Sequence, residues 1–267
     1  MSLDLGPALL FCPADRPDRY QKAAERADAV ILDLEDAVAP ADKVDARRAL
    51  VEHPLDAATT IVRVNARDTD DHALDLAALE QTAYRTIMLP KAVDATGLEG
   101  YSVIALCETA AGVLAAETLA AQPHVVALMW GAEDLVASLG GSSSRHGDAR
   151  YRDVAVHARA RTLLAAGAHG KAAIDAVHLD IADLEGLAAE ARDAAAQGFA
   201  ATACIHPSQV ETVREAYRPS QAEVAHARAV VDGAVGAAGV FSLDGRMVDE
   251  PVVRHARRVL QRAGDAG

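Results

Sequence analysis

Eight times along this chain a short apolar run, often rich in β-branched residues, breaks off into polar or charged ones. The runs occupy residues 8–12, 29–32, 60–62, 86–89, 102–107, 125–130, 172–174 and 202–205. Unbroken apolar runs predict strands buried on both faces, as in parallel sheets, rather than the half-exposed alternation of antiparallel ones. Helical patterns fill the intervals. Asp15 stands where it can cap a helix with Pro17 in its first turn, where a missing N–H costs nothing. Further on, Leu184, Leu187, Ala188 and Ala191 follow helical spacing, and Gly198 is placed to end that helix. Strand–helix alternation eight times over predicts a (β/α)8 barrel across residues 1–218. A doubly wound open sheet is the competitor, but neither G-x-G-x-x-G nor G-x-x-x-x-G-K-[ST] is present.

Two stretches break the rhythm. Residues 140–145, GGSSSR, lie in a long connection between the sixth and seventh strands and read as a surface loop or a mobile flap. Beyond Pro219 the eight units are spent. The remaining residues, 219–267, predict a helix near 221–231, a turn-rich 241–249 and a last helix from Pro251. That appendage either packs on its own barrel or reaches a neighbouring subunit.

Composition narrows the partners. A formal charge of −13 and few aromatics argue against nucleic acid or an anionic membrane. No apolar run approaches the ~20 residues of a membrane span, and the first residues form no basic n-region, so a cytoplasmic protein is the expectation. Cys12, Cys107 and Cys204 form no C-x-x-C pair and fall in predicted strands, as small core residues would.

In a barrel, residues far apart in sequence meet where the strands end. That rim would gather Asp33, Glu35, Asp36, Arg63, Asn65, Lys91, Glu108, Asp134, Asp175 and His206. So many carboxylates around one cavity repel unless a cation sits among them. Oxygen ligands without a His or Cys cluster point to Mg²⁺, with Mn²⁺ as the alternative, and Glu108 and Asp134 on consecutive strands suit it. Glu133 reads as a helix-start residue. Arg63 lies in an apolar strand, where its fork would grip either a substrate carboxylate or one of the rim acids. Lys91 reads as a charge-balancing residue and His206 as structural. Arg16, Arg19 and Lys22 form a basic cluster at a helix start, either a solvated face or a place for a phosphorylated ligand.

Taken in order, LFCPADR at 10–16, VILDLED at 30–36, VRVN at 62–65, MLPK at 88–91, ALCET at 105–109 and WGAEDL at 130–135 resemble the citrate lyase beta-subunit-like proteins of the HpcH/HpaI aldolase superfamily. The likeness spans essentially the whole chain and is greatest to stand-alone members acting on coenzyme A thioesters, whose tail motif matches GRMVD at 245–249. The resemblance implies a homotrimeric barrel with Mg²⁺ on Glu108 and Asp134, and Arg63 on the carboxylate of the keto acid. It implies that the tail carries Asp249 to a neighbour's site as proton donor or acceptor. It places Arg16, Arg19 and Lys22 near the coenzyme A end.

The expected activity is carbon–carbon lysis of a carboxylated 3-hydroxyacyl-CoA, giving acetyl-CoA and a keto acid, with Glu35 and Asp36 orienting water around the metal. Citramalyl-CoA, malyl-CoA, citryl-CoA and 3-hydroxy-3-methylglutaryl-CoA all carry the required groups. The competing readings are an aldolase or decarboxylase acting on free pyruvate-like acids, and a non-catalytic subunit of a lyase complex.

Overall fold

The computed structural model describes residues 5–235 and 239–264. Two compact units divide it, Met1–Val213 and Arg214–Gly267. In the first, eight parallel strands close into a barrel in sequence order: β1 (Ala8–Pro13), β2 (Ala29–Asp33), β3 (Thr60–Arg63), β4 (Thr86–Leu89), β5 (Ser102–Cys107), β6 (Val125–Trp130), β7 (Ala172–Asp175) and β8 (Ala201–Cys204). β8 pairs back onto β1, with Leu10 opposite Cys204, so no barrel edge is left open. The predicted apolar runs coincide with these strands to within a residue or two.

Strand residues alternate between the barrel interior and the surrounding helices. Ala29 and Ile31 on β2, Ile61 on β3, Ile104 and Leu106 on β5, Ala127 and Met129 on β6, and Ile174 on β7 belong to one buried cluster with Leu9, Met88, Ala201 and Ala203. Asp33, Arg63 and Glu108 continue that inward set by steps of two. Trp130 and Asp175 fall in the opposite set. Strand parity thus separates the charged residues that face the barrel mouth from those that face the helices.

The helices are α1 (Pro17–Arg26), α2 (Lys43–Glu52), α3 (Asp70–Leu79), α4 (Ala110–Ala120), α5 (Ala132–Ser138), α6 (Asp153–Ala168), α7 (Leu184–Gln197) and α8 (Gln209–Tyr217). Gly198 closes α7 in the left-handed conformation at φ 109°, as its position predicted. Two expectations need correcting. Asp15 does not cap α1: Arg16 is the N-cap residue, without a side-chain cap bond, and Asp15 sits 3.6 Å from its guanidinium. The strict alternation also fails once, because residues 90–101 join β4 to β5 without a helix.

The second unit contains α9 (Gln221–Ala234), an antiparallel hairpin of β9 (Phe241–Leu243) and β10 (Arg246–Val248), and α10 (Glu250–Arg262). Ser220 and Glu223 form a reciprocal capping box at the start of α9. Ala227, Val230, Val248, Val253, Ala256 and Val259 give this unit its own buried core.

Candidate active site

The inward residues at the ends of β2 and β3 meet first. Parallel register sets Asp33 opposite Arg63. The guanidinium is held side-on: Nε donates to Asp33 Oδ1 at 2.7 Å and Nη2 to Oδ2 at 2.6 Å. Phe11 lies under its face, 4.9 Å from Cζ to the ring centroid. Nη1 approaches Glu35 Oε2 at 3.0 Å as an ion pair, yet that buried oxygen has no aligned hydrogen-bond donor. Burial alone would lower the Arg63 pKa; the hydrogen bonds and charge of Asp33, with Glu35 and Glu108 beyond, raise it instead, so Arg63 is a permanent cation. Asp33, 1% exposed, also accepts from the backbone N–H groups of Glu35 (2.9 Å) and Ala37 (3.2 Å). One carboxylate therefore shapes the turn after β2 and orients the arginine.

Lys91 joins this pair to the next strand. Its backbone is left-handed, φ 50°, which is uncommon outside glycine. In that conformation its N–H donates to Glu108 Oε1 at 3.0 Å, while its ammonium bonds Glu35 and lies 3.6 Å from exposed Asp36. Burial of Glu35 raises its pKa, and the Arg63 and Lys91 charges oppose that shift.

Glu108 is the least comfortable group here. At 2% exposed, with the Asp134 charge nearby and Glu35 beyond it, its pKa is pushed up to about 8; burial is the largest cause. Asp134, half-buried in the first turn of α5, supplies the second carboxylate. A Cβ on Gly131 would meet Glu108 Cβ at 2.9 Å and Oε2 at 3.0 Å, so a larger residue at the head of α5 would push that carboxylate aside. Among the described residues no three His, Cys, Asp or Glu side chains form a metal cage. Two hard oxygen donors short of positive charge suit a divalent cation such as Mg²⁺, which keeps most of its positions for water and substrate.

A buried polar chain supports the turn from below. Lys43 Nζ donates to the carbonyls of Leu34 (2.8 Å) and Glu35 (3.1 Å) and to Asn65 Oδ1 (2.6 Å). Asn65 Nδ2 donates in turn to Leu34 O and to fully buried Asp75, which Arg47 holds from α2. Asn65, expected on the rim, is thus a structural link.

Not every residue at the strand ends turns into this set. Asp175, facing outward, accepts from Trp130 Nε1 at 2.6 Å and forks with Arg159 of α6. His206 is exposed and contacts Ser208. Arg16, Arg19 and Lys22 are exposed at the start of α1. The glycine- and serine-rich connection is tied down rather than loose at its end. Ser144 is buried and bonds Glu133, and Arg145 stacks 3.7 Å over Tyr151 while forking with Glu190. In the second unit Asp249 is the N-cap of α10, accepting from Val252 N–H at 3.3 Å. All three cysteines are buried; burial pushes Cys12 and Cys107 up to about 11 and 12, which leaves them inert thiols at neutral pH. Asp33 and Lys91 carry more of the site than sequence reasoning gave them. For Asp33 the signal was its two-residue step from Ile31; for Lys91 no periodicity could have found a left-handed backbone.

The HpcH/HpaI aldolase/citrate lyase family model matches residues 8–102 and 94–207. A citrate lyase subunit beta-like protein of Mycobacterium tuberculosis is 58% identical over 264 residues, covering 98% of this chain and 97% of that protein. A (3S)-malyl-CoA thioesterase of Cereibacter sphaeroides is 34% identical, covering 96% and 94%. Among solved structures, the M. tuberculosis protein CitE in complex with magnesium, acetoacetate and coenzyme A matches with TM-score 0.93 and 57% identity, covering 98% of this chain and 99% of that one.

Proposed function

The chain belongs to the HpcH/HpaI aldolase/citrate lyase family, and from that premise we infer that it is a magnesium-dependent lyase of coenzyme A-linked acids. We propose further that it cleaves, or forms, a carboxylated 3-hydroxyacyl-CoA of the citramalyl, malyl, citryl or 3-hydroxy-3-methylglutaryl type. The observation that carries this reading is the buried carboxylate Glu108, pushed up to about 8 beside Asp134 and a short reach from the oriented cation Arg63. That set offers one place for a divalent ion and one for a carboxylate.

When bound, Mg²⁺ supplies Lewis acidity to the oxygen at the reacting carbon. Glu108 and Asp134 would hold it, and Glu35 and Asp36 would orient water around it. Arg63 binds the carboxylate of the keto-acid half. In cleavage the hydroxyl proton passes to water, its carbon becomes a carbonyl, and the C–C electron pair passes to the acetyl carbon. Asp249 gives that carbon its proton, or removes it in the synthetic direction. The same aspartate caps α10, which fixes its rotamer. We place Asp249 in a neighbour's site, in a cytoplasmic homotrimer, with Arg16, Arg19 and Lys22 toward the coenzyme A end.

The test is a panel of the four thioesters with Mg²⁺, read by mass spectrometry for acetyl-CoA and keto acid. Equal turnover of acids lacking coenzyme A would favour an aldolase instead, and no turnover by the purified chain alone would favour a subunit of a larger complex. Asp249→Ala should abolish turnover while Mg²⁺ and keto-acid binding persist; near-normal turnover in that variant sinks its assignment.

A further inference from the structure

We infer that Asp33 is a positioning residue of this reaction: acting through Arg63, it fixes the guanidinium so that its Nη1–Nη2 edge is the one offered to the substrate's carboxylate. The inference rests on the proposed role of Arg63 as the group that binds that carboxylate. Donor counting carries it. A guanidinium has five N–H groups, one on Nε and two on each Nη. The side-on fork with Asp33 consumes the Nε donor and one on Nη2, leaving one on Nη2 and both on Nη1. An end-on carboxylate needs one donor from each Nη, which is the pair left over. Glu35 Oε2 lies near Nη1 without an aligned hydrogen bond, so that edge carries charge attraction but no closed fork.

Three features hold the orientation. Asp33 is 1% exposed and fixed by the N–H groups of Glu35 and Ala37. Phe11 blocks one face of the guanidinium. Glu35 is itself held by Lys91 and cannot easily swing away. Without the Asp33 charge, Arg63 would be free to turn and fork with Glu35, burying the edge the substrate needs. Asparagine at this position keeps the size but presents an amide N–H toward one guanidinium donor, so at most half of the fork survives.

The full-length chain would be titrated with Mg²⁺ alone, and with pyruvate at saturating Mg²⁺, as wild type, Asp33→Asn, Arg63→Met and the double variant. Each single substitution is expected to weaken pyruvate binding by about tenfold or more. The double variant should bind pyruvate no more weakly than Arg63→Met, because Asp33 then has nothing to act through. Mg²⁺ should still bind in every variant, which a collapsed site would not allow. Losses that add in the double variant, or wild-type affinity in Asp33→Asn, overturn the positioning role. Wild-type affinity in Arg63→Met overturns the role of Arg63 on which it rests. Should Asp33→Asn fail to fold, Arg63→Lys asks the same question: it keeps the charge but cannot be forked, and wild-type pyruvate affinity there would also overturn the inference.

Discussion

Asp33 at the end of β2 and Asp175 at the end of β7 each grip an arginine side-on, over an aromatic ring. Arg63 reaches Asp33 at 2.7 and 2.6 Å with Phe11 beneath it; Arg159 reaches Asp175 at 3.0 and 2.8 Å with Phe199 beneath it, 5.0 Å away. The difference lies in the last edge. Arg159 Nη1 donates to Asp193 at 2.6 Å, which closes it, whereas among the described residues Arg63 Nη1 has only the unaligned Glu35 oxygen. A third arginine, Arg145, meets Glu190 end-on through both Nη atoms, the geometry that the open edge of Arg63 is left to make. The same chemical unit serves as a clasp between helix and strand on one arc of the rim and as a receptor on the other. Parity explains which is which: Asp33 and Arg63 continue the inward set, and Asp175 faces the helices.

The largest expected effect breaks the open arc. Glu108→Gln removes one of two metal-holding charges, and kcat/KM should fall by about 10³-fold or more. The unliganded fold should not weaken at neutral pH, because the glutamine carbonyl still accepts from Lys91 N–H and the amide, like the protonated acid it replaces, carries no charge. A drop in both activity and melting temperature would mean that Glu108 is a structural acid like Asp175.

The next effect is pH dependence. Burial and the Asp134 charge hold Glu108 protonated up to about 8, while an unfolded glutamate titrates near 4.5. Between those values the folded state binds the extra proton, so this group makes the unliganded protein less stable as pH rises across the window, by at most ~1.4 kcal/mol per unit. Mg²⁺ needs the ionised form. Below about 8 its affinity should therefore weaken by up to about tenfold per pH unit. Isothermal titration at pH 6, 7 and 8 checks the sign, and a flat profile removes Glu108 from the ligand set.

Much of this was legible in the chain. The apolar runs located the strands because burial on both faces leaves no other pattern, and the polar residues after them located the rim. What the runs did not state was facing. Asp175 looked equivalent to Glu108 from its position after a strand, although counting by two from Ile174 would have turned it outward. Arg63 held two readings that pairing alone could not separate, and its Asp33 fork depends on the register between β2 and β3, a long-range property. The missing helix between β4 and β5 shared the polar signature of an ordinary connection. Residues 140–145 looked loose because glycine and serine dominate, but buried Ser144 and stacked Arg145 anchor the end of that stretch.

Breaking the closed arc should reverse the phenotype. Asp175→Asn keeps an acceptor for Trp130 but leaves Arg159 without its fork, at a cost of about 2–3 kcal/mol, less than a fully orphaned buried cation because Asp193 remains. Urea unfolding reads the loss. Mg²⁺ and pyruvate affinities should hold at temperatures where the variant is folded, since Asp175 bonds Trp130 and Arg159, both outside the inward set. A selective loss of pyruvate binding would show that the two arcs are coupled.

The smallest effect is the most specific. Asp193→Ala removes the acceptor that closes Arg159 Nη1 and so makes its donor pattern resemble that of Arg63. Asp193 is 56% exposed, and such pairs contribute under about 1 kcal/mol, so stability in urea should barely move. The new free edge should not bind pyruvate, because it faces α7 rather than the barrel mouth and has no metal-holding carboxylates beside it. If it did bind, an open arginine edge alone would suffice for recognition, and inward facing would be incidental. If it does not, a free edge becomes a receptor only when parity turns it inward beside Glu108 and Asp134.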